Sequence, residues 1–270
     1  MKQAHYQEGV AQLRRSTVAL LVIAALGTFL PGATAGISST VFAITATNDS
    51  GSSSYSVDFS SGTWDPVAGD YTWSLGGPMD LVDDADPGIV VASLSSATLV
   101  IHTKPTPEIT LNLGVSAGDS NTYFYVDSAV VDFSTIPAAA AEGRFSAGAQ
   151  IWDTGFDGAY LVGADGSGVG AFQSYYNGTA PSGTRFSHLV GAIVVGNGGS
   201  GSASQAFPSV GYAAIGANLN DISTHGAFVV SGGDRMVGSM SFGIVPEPST
   251  SFMVLCLGAF WVFRGQDRRR

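Results

Sequence analysis

The chain reads as an all-β protein: an antiparallel β-sandwich of jelly-roll type, flanked by an N-terminal signal helix and a C-terminal hydrophobic helix. Three observations predict it. Between residues 36 and 245 the apolar residues come in short alternating or β-branched runs. Gly, Asn, Asp or Pro separates those runs at near-regular intervals, as in sandwiches with tight turns. Amphipathic helical periodicity is missing from the same stretch, the one helix-friendly patch being the "IPAAAAEG" segment.

Lys2, Arg14 and Arg15 precede the apolar run Val18 to Leu30, which is followed by Pro31-Gly32 and Ala33-Thr34-Ala35. Positive charge, an apolar core and an A-x-A site describe a secretory signal peptide over residues 1–35, cleaved between Ala35 and Gly36. The residues after Arg14-Arg15 fit an ordinary positive flank better than twin-arginine export, and no cysteine follows the cleavage point to carry a lipid.

Residues 36–245 follow as one extracellular domain, long enough for a sizeable core. Its strand-forming runs are "SYSVDFSS", "GIVVASLSSATLVIHT", "EITLNLGV", "NTYFYVDSAVVDFST", "EGRFSAGAQIWDT", "AYLVGADG", "RFSHLVGAIVV" and "GAFVVSGG". The segment "GNGGSGSAS" reads as a low-complexity flexible loop. No repeat period marks a solenoid or propeller.

The tail, residues 246–270, divides into three parts. Pro246-Glu247-Pro248 removes two backbone donors and ends the sheet near Val245. The apolar stretch Ser251 to Phe263 makes a helix of roughly 20 Å, short of a comfortable bilayer span. Arg264, Arg268, Arg269 and Arg270 then supply the charge that holds a segment's end on the cytoplasmic side. In order and position this tail resembles the PEP-CTERM sorting signal of Gram-negative and related bacteria. The resemblance covers about the last twenty-five residues and leaves the central domain unassigned. It implies transient membrane insertion and processing by an exosortase-like enzyme after signal peptidase and the export machinery have acted. It also implies a final location at the cell surface or in an extracellular matrix, with exopolysaccharide as a candidate partner.

Charge narrows the partners further. Within residues 36–245 there are eighteen acidic side chains and four basic ones (Lys104, Arg144, Arg185, Arg235), a net charge near −14, so nucleic acid is excluded as a partner. The single cysteine, Cys256, lies in the apolar tail and forms no bridge within the chain.

Motif matches are weighed by context. Gly196 to Gly201 fits G-x-G-x-x-G, but Pro208 and another Gly-rich strand follow where a helix must open, so a hairpin loop is expected. Gly114-Val115-Ser116-Ala117-Gly118 fits a nucleophile elbow, yet a strand follows where the elbow needs a helix. His102, His188 and His225 lack metal-ligand spacing. Asp153, Asp157 and Asp165 sit beside glycines and read as turn residues. Asp80, Asp83, Asp84 and Asp86 place four carboxylates in seven residues, a candidate calcium loop against a solvated acidic turn. Calcium is the one cofactor considered. Among the aromatics, Trp64 and the Tyr175-Tyr176 pair stand next to turns and are candidate sugar-stacking residues, against the alternative that they fill the core.

No catalytic constellation is legible, so the chain is expected not to be an enzyme. The expected role is a structural or adhesive protein of an extracellular matrix or biofilm. The alternative is a carbohydrate-binding module for exopolysaccharide, and a secreted hydrolase using paired carboxylates stands third.

Overall fold

A computed structural model describes residues 36–165 and 168–246. The predicted signal peptide with Ala33 and Ala35, and the tail with Glu247, Pro248, Arg264, Arg268, Arg269 and Arg270, lie outside the described residues, as do both predicted flanking helices. Among the described residues no helix is long and apolar enough to cross a membrane.

The described chain is β throughout, and every strand pairing is antiparallel. β1 (Gly36–Ile37), β2 (Thr40–Asn48) and β3 (Gly51–Asp58) open the first sheet. β4 (Thr63–Asp65), β5 (Asp70–Ser74), β6 (Met79–Val82), β7 (Val90–His102) and β8 (Glu108–Ala117) build the second. β9 (Thr122–Ser128) and β10 (Val131–Ile136) return to the first, and β11 (Ala141–Trp152) to the second. β12 (Ala159–Gly163), β13 (Phe172–Tyr176), β14 (Thr184–Leu189) and β15 (Ile193–Val195) join the first, then β16 (Ser200–Phe207) and β17 (Ala213–Ala214) the second. β18 (Leu219–Val230) and β19 (Arg235–Pro246) close the first and second sheets respectively.

Several strands are halves of one position. β12 and β13 lie end to end along β18, separated by an excursion in which Ala164 and Ala171 both bond to Ala227. Position by position the first sheet runs β14/β15, β12/β13, β18, β9/β10, β1/β2, β3, and the second β16/β17, β11, β19, β8, β7, β5/β6, β4. From β8 onward the chain shuttles between sheets. The order β8, β19, β11, β16/β17 is thereby set against β9/β10, β18, β12/β13, β14/β15, the interlocked pair of Greek keys of a jelly roll.

Inward residues of both sheets form one core. Phe42 of β2 stacks on Trp73 of β5 at 5.2 Å, and Phe186 of β14 on Phe242 of β19 at 5.3 Å, tying the layers at two places. Gly238 is required where it stands: a Cβ there would meet the Phe172 ring of the facing sheet at 2.6 Å.

Three local expectations change. The segment expected to be a flexible loop is half strand, since β16 pairs with β11 in unbroken register from Phe145↔Phe207 to Trp152↔Ser200. It is an edge strand held by its backbone, and its exposed side chains leave no apolar alternation to read. The helix-friendly patch forms only a single 3₁₀ turn, Ala138–Ala140. The sheet runs one residue past Val245, because Pro246 at the strand's end still opposes Ala141.

Candidate functional site on the outer face of the first sheet

Alternation along β9 sends Phe124 and Val126 into the core and Tyr123, Tyr125 and Asp127 to the outer face. Registered pairing places Tyr123 opposite Val229, Tyr125 opposite Ala227 and Asp127 opposite His225 on β18. On the other flank of β18, Gln173 opposes His225 and Tyr175 opposes Ser223; Arg185 of β14 then opposes Tyr175. Four adjacent strands and the excursion after β12 thus bring aromatic, acidic, amide, imidazole and guanidinium groups to one surface.

The groups are wired together. His225 Nδ1 lies 2.7 Å from Asp127 Oδ1, and because an ionised carboxylate only accepts, the imidazole donates from Nδ1. Tyr175 donates to Gln173 Oε1 at 2.6 Å, and Gln173 Nε2 donates to Asp165 Oδ2 at 2.6 Å. The other ring nitrogen, His225 Nε2, lies 3.8 Å from Asp165 Oδ2. Tyr125 and Tyr175 flank the imidazole with ring centroids at 6.4 Å. Burial pushes the Tyr175 hydroxyl above the usual phenol range; Arg185 pulls against that shift, while the Asp165 and Asp127 charges add to it. Gln173 and Tyr175 are buried, whereas Tyr123 and Tyr125 are 46% and 38% exposed, so the network is a rigid floor beside two accessible rings.

Of the aromatics singled out in the sequence, only Tyr175 belongs to this face. Trp64 and Tyr176 are half-buried and pack against the core, Trp64 with its ring 6.1 Å from Phe59, so proximity to a turn did not expose them. Tyr123, Tyr125, Asp127, Gln173, Arg185 and His225 were not selected as binding residues. The alternation in "TYFYVD" carries the signal for the first three.

The acidic loop is closed mainly by backbone. Asp83 is buried; its Oδ1 accepts from the Ser52 N–H at 2.8 Å and its Oδ2 from the Asp86 N–H at 2.9 Å. The Ser52 N–H is the main influence holding its carboxyl below the usual range, against desolvation. Asp80, Asp84 and Asp86 are exposed. Among the described residues the carboxylates that do converge, with ligand oxygens within 4.8 Å of one another, are Asp153, Asp157 and Asp234. Asp153 and Asp234 are buried and Asp157 is exposed. Burial pushes Asp153 upward, but the N–H groups of Gly198, Gly158, Phe156 and Asp157 outweigh it and hold the carboxyl below its usual range. That geometry can accept a hard cation, and it also pins the loop after β11 to the turn before β16.

The remaining motif matches resolve by context. Gly196 to Gly199 form the turn between β15 and β16, Ser200 and Gly201 open β16 with no helix after them, and Ser116 lies within β8 opposite Arg235. His102 Nδ1 lies 2.8 Å from Asp70, and His188 Nδ1 accepts from the Gly170 N–H.

No family model and no curated protein matches the chain. Solved structures give weak likenesses. One is a family 11 carbohydrate-binding module from Clostridium thermocellum in complex with a beta-1,3-1,4-mixed-linked tetrasaccharide, at 10% identity over 76% of this chain and 96% of that one, with TM-score 0.19. Broad bean stain virus gives 13% identity over 82% and 88%, TM-score 0.17. The Gt strain of infectious bursal disease virus gives 10% identity over 82% and 68%, TM-score 0.17. At these scores the likenesses carry no argument about this chain.

Proposed function

We propose that the domain binds an uncharged polysaccharide through the outer face of the first sheet, and acts as an adhesive module of an extracellular matrix. The observation that carries this reading is the pair Tyr123 and Tyr125, exposed at alternate positions of β9, beside the network of Asp127, His225, Gln173, Asp165 and Tyr175. Flat rings offer apolar area to a sugar face at small entropic cost, and fixed polar groups set orientation. The carboxylates of Asp127 and Asp165 accept hydrogens from sugar hydroxyls and repel a carboxylate or sulfate. The excess of eighteen acidic over four basic side chains opposes polyanions in the same direction.

The test is affinity electrophoresis of the full chain, in mild detergent, through gels containing dextran, xyloglucan, galactomannan, polygalacturonate or dextran sulfate. Retardation by at least one of the three neutral polymers, and by neither polyanion, is expected. Binding to none of the five overturns the reading, and binding to a polyanion alone overturns its chemical class.

The same proposal takes the two ends of the chain as export and sorting signals, with the protein membrane-anchored before processing and at the cell surface after it. Support comes from the order Pro-Glu-Pro, apolar run, arginines at one end, and from the positive flank, apolar run and A-x-A site at the other. Replacing Pro246, Glu247 and Pro248 by alanine is expected to leave export intact while uncut precursor collects in the membrane fraction of the native host. Normal processing of that variant would reduce the tail to an anchor.

A further inference from the structure

We propose that signal cleavage completes the fold electrostatically: the α-ammonium created on Gly36 is the counter-charge for a carboxylate pair formed by Asp132 and Asp221. The inference rests on the export reading above, which places the mature N-terminus at Gly36. Gly36 pairs in register with Asp132 on β10, and Asp132 pairs in register with Asp221 on β18. Three strands therefore set the backbone of Gly36 and two acidic side chains in one row. A Cβ built on Gly36 would stand 3.4 Å from Asp132 Oδ2, so the carboxylate lies alongside that residue.

Like charges directly opposite each other across a sheet are destabilising. Among the described residues the ion pairs are His102 with Asp70 and His225 with Asp127 and Asp165, and none involves Asp132 or Asp221. Asp221 Oδ1 accepts the Gly178 N–H at 2.7 Å, which satisfies a lone pair without neutralising the charge. Desolvation, with the Asp221 charge added, pushes the Asp132 carboxyl above its usual range. In the uncut chain the residue 36 nitrogen is a neutral amide. Hydrolysis of the Ala35–Gly36 bond adds water across it, leaving a carboxylate on Ala35 and an amine on Gly36 that takes up a proton at neutral pH. A two-residue strand that is otherwise held by few bonds then gains an ionic clasp to the middle of the sheet.

The experiment compares three forms of the mature chain: one beginning at Gly36, one beginning at Gly36 with an acetylated amine, and one retaining Ala35. At pH 7 the free Gly36 form is expected to unfold roughly 2–4 °C above both others. The difference is expected to disappear in acid, as the raised carboxyl of Asp132 takes up its proton, and in Asp132→Asn at pH 7. Equal midpoints for the three forms at pH 7, or a difference that persists in Asp132→Asn, overturns the clasp. N-terminal sequencing of the protein recovered from its host tests the cleavage reading separately. A start other than Gly36 overturns that reading and the maturation step built on it, whatever the melting data show about the ion pair.

Discussion

The outer faces of the two sheets are built by the same alternation and are chemically unlike. On the first sheet the central strands present Tyr123, Tyr125, Asp127, His225, Gln173, Tyr175 and Arg185. On the second, one registered row runs Thr98, Asn112, Ser239, Gly148, Ser204, and the next runs Val100, Thr110, Ser241, Ser146, Ala206. Those hydroxyls and amides satisfy one another, as in Thr110 to Ser241 at 3.2 Å and Asn112 to Thr98 at 3.1 Å. The second face carries large groups as well, Arg235 over Trp152 near one end and His102 paired with Asp70 near the other, whereas the first gathers its rings around a buried polar network. The proposed recognition role rests on that gathering of rings and fixed polar groups on the first face.

The sharpest way to break that contrast is to shave the rings. Tyr125→Ala is expected to weaken binding to the neutral polymer about tenfold, near 1.4 kcal/mol, with the unfolding midpoint nearly unchanged. Affinity electrophoresis beside a thermal melt reads both, and an unchanged affinity would move the site elsewhere.

A smaller, several-fold loss of affinity is expected from His225→Gln, which removes the donor held 2.7 Å from Asp127 and the ring between Tyr125 and Tyr175. Affinity electrophoresis reads it, and an unchanged affinity contradicts the role given to the imidazole.

Acid is expected to weaken the fold in a window set by two buried carboxylates. Asp83 and Asp153 have depressed folded values, so their stabilisation is complete above the ordinary carboxylate range and is lost only as pH falls below it. Thermal midpoints should hold from pH 7 to about 5 and fall toward pH 3. Asp153→Asn should flatten that fall. A midpoint that already collapses between about pH 7 and 5 would contradict the role given to these two carboxylates. At the bottom of the scale, Ser239→Ala on the opposite face is expected to change stability by less than about 0.5 kcal/mol and binding not at all.

What could be read from sequence followed local chemistry. The class of fold came from alternation, as in β8 and β9, where every second residue is apolar. β16 escaped because an edge strand held by backbone pairing has no buried side to advertise. Tyr123, Tyr125 and Asp127 were legible in principle, since their alternation with Phe124 and Val126 declares which face they take. His225 was not, because its partner Asp127 is 98 residues away and only the crossing of β18 beside β9 joins them. The convergence of Asp153 and Asp157 with Asp234 is hidden in the same way, whereas the dense local cluster at Asp80 to Asp86 drew attention and proved to be organised around backbone N–H groups at Asp83.

The central claim is that one face binds and the other does not, and hydroxyl-radical footprinting with galactomannan, xyloglucan and dextran in turn reads it directly. Trp152, on the second sheet's outer face beside Arg235, serves as the internal reference. The account predicts that at least one polymer slows oxidation of Tyr123 and Tyr125 while Trp152 keeps its rate. Protection of Trp152 with no change at the two tyrosines would contradict it.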